Sequence, residues 1–302
     1  MTRTRHGLRG ATLIELLVGL VISLMVVMTA LGTAARYHRS GSTVLEWMNV
    51  RGQLRSAADI LAGELVGISM TGDSLLAATD TSVEFRSAIG ASMICLVPSA
   101  NRITLPPDSL VSGRILSSWA LPPDSGDTVL LYQEASSPAP AKWIRRQVIS
   151  FTAVRPFTGC PAAAGLISAA ELAGAGSAYD VTLDGDVALA HSGTPVRIVR
   201  RVRYSMYKAG DGHWYLGYRS CTPSCAGIQP VSGPYDFRGR VPLTLRYLDE
   251  SGANVTPSAS TAAPAAMAIL VRTSFSRPLS FPGVPPRSGD SISTVVAFRN
   301  FR

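Results

Sequence analysis

Four cysteines, Cys95, Cys160, Cys221 and Cys225, are the first candidates for chemistry, and all follow a long apolar block. An even count on one side of such a block suits an oxidising compartment and two disulfides. The short Cys221-Thr-Pro-Ser-Cys225 spacing favours a local bridge, which leaves Cys95 for Cys160. Three pairings are possible for four cysteines, and buried free thiols are the alternative. Zinc is disfavoured because neither pair has a two-residue gap and no histidine stands at ligand spacing. His6, His38, His191 and His213 are scattered. Asp184-Gly185-Asp186 offers two carboxylates to calcium but lacks the remaining ligands of a known loop, so it reads as a turn. Arg197, Arg201 and Arg203 line one face of a predicted strand, with Tyr207 nearby. Such a row can grip DNA phosphates or simply face water. No Gly-x-Ser-x-Gly, phosphate loop or dinucleotide fingerprint occurs, so the sequence predicts no catalytic site, no cofactor and no metal.

The elements that must carry these residues begin with the apolar block. Residues 11–35 contain one charged side chain, Glu15, and the 20 residues from Leu16 to Ala35 carry none. As a helix, that stretch is about long enough to cross a ~30 Å hydrocarbon core. A cleaved secretory signal has a shorter core, about 7–15 apolar residues, and no acid at its start. A plain membrane anchor accommodates the length but gives Glu15 no purpose. A charge at the centre of a spanning helix costs roughly 2.5–3.5 kcal/mol, and near the end it still asks for a partner. Arg3, Arg5 and Arg9 precede the span and Arg36 and Arg39 follow it, a slight lean toward a cytoplasmic N-terminus.

Gly10-Ala11-Thr12-Leu13-Ile14-Glu15 resembles the leader junction of type IV prepilins and of type II secretion pseudopilins. The resemblance covers roughly the first 40 residues and implies a fold and a life cycle. A prepilin peptidase would cut between Gly10 and Ala11 and the new N-terminus at Ala11 would be methylated. Glu15 would become the fifth residue of the mature chain. Ala11 departs from the family's usual Phe, a position where other apolar residues are accepted. The chemistry is coherent: the Ala11 α-amine is positive, and the Glu15 carboxylate can neutralise it within a subunit or between neighbours. In a low-dielectric surround an unpaired charge is penalised, so the acid rewards docking into a filament.

Composition fits a membrane segment joined to an ordinary head. Of 302 residues, 46% are hydrophobic and 16% charged, and the net charge is +8, with 26 Arg against two Lys (Lys142 and Lys208). Without the three arginines of residues 1–10 the balance falls to +5, which permits contact with DNA or anionic lipid without arguing for it. Apolar residues at Val44, Trp47, Met48, Leu54, Ala58, Leu61, Leu65 and Ile68 continue the helical period, predicting one helix to about residue 66, loosened at Gly32 and Gly41. Beyond it, strands are predicted at Val83–Arg86, Thr128–Glu134, Trp143–Val154, Val196–Lys208, Trp214–Arg219, Leu243–Leu248, Ala268–Phe275 and Thr294–Arg299. Loops rich in Ala, Pro, Ser and Gly are expected at 135–141, 161–178, 256–266 and 281–290.

The expected class is therefore α+β: a leader at 1–10, a transmembrane stretch at 11–35, an amphipathic continuation at 36–66 and a β-rich antiparallel head at 67–302. The tail Ser293-Thr294-Val295-Val296-Ala297-Phe298-Arg299-Asn300 is similar to the closing strand of PilW-type minor pilins. That resemblance implies a non-enzymatic minor pilin, spanning the inner membrane once with its head in the periplasm before assembly into a pilus. Its implied partners are the prepilin peptidase and other pilins, met through the N-terminal helix. Two alternatives share part of the pattern: a J-type minor pseudopilin of type II secretion, and a single-span anchored binding protein that never polymerises.

Overall fold

The computed structural model describes residues 12–68, 75–134, 140–154, 160, 168, 170–171, 176–187, 190–238, 240–256, 264–281 and 284–298. One helix, α1, runs unbroken over Leu13–Val66, through both Gly32 and Gly41. At 1.5 Å per residue it is roughly 80 Å long. Ser23, Thr29 and Thr33 lie within the apolar stretch, and each hydroxyl donates to the carbonyl one turn back (Gly19, Met25 and Thr29) at 2.8–3.0 Å. The helix thus satisfies its own hydroxyls where no water need reach them.

Eleven strands build the larger sheet: β1 (Leu75–Ala78), β2 (Ser82–Met93), β3 (Leu96–Ser99), β4 (Arg102–Leu105), β5 (Ser118–Trp119), β6 (Thr128–Gln133), β7 (Lys142–Val154), β8 (Ala178–Leu183), β9 (Pro195–Lys208), β10 (Trp214–Ser220) and β11 (Gln229–Tyr235). Their order is β1-β2-β9-β6-β7-β8-β4-β3, with β10 joining β9 to β11 and β5 added to β2. Every pairing is antiparallel. A four-stranded sheet follows, ordered β13 (Asn254–Val255), β12 (Leu243–Leu248), β14 (Ala266–Phe281), β15 (Val284–Ala297). The chain is α+β, one long apolar helix followed by an antiparallel β-rich domain. Two compact units account for it, one holding Met1–Gly52 and Phe275–Asp290, the other Gln53–Ser274 and Ser291–Arg302.

The hairpin between β9 and β10 shows how the sequence sets register. Lys208 pairs with Trp214, and Ala209-Gly210-Asp211-Gly212 turns the chain, Gly212 taking φ +84° where a side chain would be strained. Alternation along β9 buries Val196, Ile198, Val202 and Tyr204 on one face. Val196 and Ile198 join Val129, Leu131, Ile103, Leu105, Val181 and Leu183 in one core cluster. Arg197, Val199, Arg201 and Arg203 take the other face.

The second half of the helix buries Leu54, Ala57, Ala58, Leu61 and Leu65, a stripe at helical spacing. Polar ties hold this part to the strands: Ser87 donates to Glu64 at 2.6 Å, and the Tyr235 hydroxyl donates to the Gln53 carbonyl at 3.0 Å.

Residues 281–290 are not the expected loop: Phe281 closes β14 and Val284 opens β15. β15 ends the sheet order, and an edge strand tolerates Pro285 and Pro286, which have no N–H to donate to a ladder. The loops expected at 135–141, 161–178 and 256–266 fall largely outside the described residues, although Ala178 opens β8 and Ala266 opens β14.

Candidate functional site

Glu15 stands in the first turn of α1. Thr12 precedes the helix, and its carbonyl accepts from the amides of Glu15 (3.0 Å) and Leu16 (3.3 Å). The Thr12 amide in turn donates to Glu15 Oε2 at 2.8 Å. This is the carboxylate half of a capping box, in which the third helical residue reaches back to the amide of the cap. A negative charge there also complements the positive end of the helix dipole. The Thr12-x-x-Glu15 spacing carried this signal in the sequence, and the reading of Glu15 as an assembly charge passed over it. Gly10 and Ala11, the expected cleavage and methylation positions, lie outside the described residues.

Around Glu15 the helix surface is apolar on all sides. Every large apolar side chain from Leu13 to Leu31 is at least half exposed. The helix is long and apolar enough to cross a membrane. A surface this size needs lipid or neighbouring helices to cover it.

The structure joins Cys95 to Cys160 and Cys221 to Cys225. Cys95, Cys160 and Cys221 are buried and Cys225 is exposed. The arginine row on β9 is partly engaged: Arg201 pairs with Glu84, while the Arg203 guanidinium lies 3.5 Å from Ser82 Oγ. The Arg197 guanidinium sits 5.1 Å from the centroid of Trp143. Tyr207 packs against Tyr215 with ring centroids 6.0 Å apart. Asp184 accepts from the Gln147 amide at 2.8 Å, and the Asp186 carbonyl accepts from Arg146 at 2.9 Å, so this turn is tied to β7. Among the described residues no cluster of three or more His, Cys, Asp or Glu is placed to hold a metal. Trp119 packs edge-on against Phe151 and Tyr179, and Asp108 accepts from both Trp119 Nε1 and the Tyr179 hydroxyl.

Two further features escaped sequence reasoning because they need tertiary register. Asp127 is fully buried and accepts from Arg200 Nε (2.9 Å) and Nη2 (2.6 Å), a bidentate pair whose second oxygen also caps the Asp124 amide. Burial pushes the Tyr204 phenol well above its ordinary range, helped by the nearby Glu64 carboxylate, and burial pushes Tyr235 to about 12. These groups hold the head together and make no catalytic constellation. Comparison with known protein families, with curated proteins and with solved structures gives no match.

Proposed function

We propose that this chain is a minor-pilin-like structural subunit, processed by a prepilin peptidase and assembled into a type IV pilus through its N-terminal helix. The observation that carries the reading is Glu15, the one ionisable side chain in residues 11–35, set in the first turn of a helix that is apolar all round. A monomeric anchor gains from the apolar surface and from the helix cap, but a neutral Gln would serve that cap as well, so neither requires the charge. In a filament, the same surface packs against neighbouring helices, and the Glu15 carboxylate meets the positive Ala11 amine of its own or an adjacent subunit. Two disulfides in the β-rich part agree with a head outside the cytoplasm. The subunit spans the inner membrane once before assembly and does no chemistry of its own.

N-terminal mass spectrometry of membrane-extracted protein tests the processing step. A chain beginning at methylated Ala11 is expected from cells with an active prepilin peptidase. An intact Met1 in those cells contradicts the proposal.

A further inference from the structure

The larger sheet forks along one edge of β9. That edge pairs with β6 over Val196–Val199 and with β10 over Val202–Lys208, while β2 follows the opposite edge from Pro195 to Ser205. Arg200 and Arg201 stand where the neighbour changes. Here Asp127, fully buried just before β6, takes the Arg200 guanidinium in its bidentate pair. The Cys221–Cys225 loop lies across this fork. Its Cys221 amide donates to the Arg201 carbonyl at 2.8 Å, beside the arginine of the pair. Thr222 and Pro223 pack on Gly126, beside the aspartate. A Cβ at Gly126 would stand 2.9 Å from Thr222 Cγ2 and 3.2 Å from Pro223 Cα. The loop therefore touches the chain next to both members of the buried ion pair.

The two bridges differ in how a reagent reaches them. Cys95 and Cys160 are 0% and 4% exposed, whereas Cys225 is exposed and its partner Cys221 is buried. Thiol–disulfide exchange needs a thiolate to reach one of the two sulfurs, so access decides which bridge reacts. We infer that Cys221–Cys225 is a thiol-exchange site, and that opening it releases the clasp over the Asp127–Arg200 fork. The incoming thiolate bonds to Cys225 Sγ and the Cys221–Cys225 bond breaks. Its electron pair goes to Cys221 Sγ, which takes a proton from solvent. A second thiolate of the reductant then attacks the mixed disulfide and displaces Cys225, which is protonated in turn. The reductant leaves as a disulfide, and both cysteines remain as thiols. A sequence separation of 4 keeps these thiols near one another, so an oxidant recloses the bridge. With the bridge open, Thr222 and Pro223 come away from Gly126, and water gains access to the Asp127 carboxylate.

The test treats the full chain, in a non-ionic detergent, with reduced dithiothreitol, followed by acid quench, alkylation and peptide mapping. Cys221 and Cys225 should be alkylated at least about tenfold faster than Cys95 and Cys160. With reduced glutathione, the mixed disulfide should form on Cys225. Hydrogen exchange reads the consequence at the amides of Asp124, Gly126 and Asp127, which donate to Asp127 Oδ2, the Val148 carbonyl and the Asp124 carbonyl. Their exchange should quicken once the bridge opens, while the amides of β4 and β8 keep their rates. The double variant Cys221→Ser, Cys225→Ser should show the faster exchange without reductant and no further response to it. Alkylation of all four cysteines together, or of Cys95 and Cys160 first, overturns the exchange site. A glutathione adduct on Cys221 overturns Cys225 as the attacked sulfur. Selective opening that leaves exchange over residues 124–127 unchanged overturns the clasp.

Discussion

At the scale of single residues, Glu15 caps the helix and, in the proposed filament, would also meet a subunit amine, two roles that a substitution can separate. The capping bond to the Thr12 amide needs an acceptor oxygen, which Gln supplies as well as Glu. Neutralising a subunit amine needs the charge, which Gln lacks. Asp127 poses a different case, since its carboxylate is fully buried and, among the described residues, is compensated by Arg200 and one backbone amide. Removing one partner of such a pair strands the other, so Asp127→Ala should cost about 3 kcal/mol or more. Urea unfolding of the purified chain measures this, and a loss below about 1 kcal/mol would place the pair with weak surface bridges.

At the scale of elements, the two disulfides close loops of very different length, 65 and 4 residues in sequence separation. Loop-closure entropy alone assigns about 4 kcal/mol to Cys95–Cys160 and about 2 kcal/mol to Cys221–Cys225. Replacing both members of the first pair by Ser should therefore lower the denaturant midpoint more than replacing the second. Equal losses would mean that the unfolded chain is not what the longer bridge restrains.

Elements with dense apolar periodicity were legible from sequence. Leu243–Leu248 matches β12 end to end, and the helix ends at Val66, as expected at about residue 66. β2 was read only as Val83–Arg86, because Ser-Ala-Ile-Gly-Ala-Ser beyond it lacks the β-branched and aromatic density that marks a strand. β4 and β8 are four and six residues long and earn their place through pairing with each other, which no local window contains. β11 holds Pro230, Gly233 and Pro234, and β15 holds Pro285, Pro286 and Gly289, residues that read as loop until a strand is known to lie at an edge. The acid at position 15 was visible at once.

At the scale of the whole molecule, we propose that the apolar helix carries one carboxylate at its start so that the subunit enters a filament and does not remain an anchored monomer. The apolar surface explains membrane residence on its own, so only the acid distinguishes these fates. Comparing the membrane pool with sheared filaments, in cells carrying wild type or Glu15→Gln, tests this most directly. Gln preserves size and the cap, so the variant should insert and be cleaved at Gly10–Ala11 like wild type. Its incorporation into filaments, and the piliation of the strain, should fall about tenfold or more, as expected for a lost charge pairing in low dielectric. A variant that inserts, is cleaved and enters filaments at wild-type levels would contradict charge-driven recruitment and favour the anchored monomer.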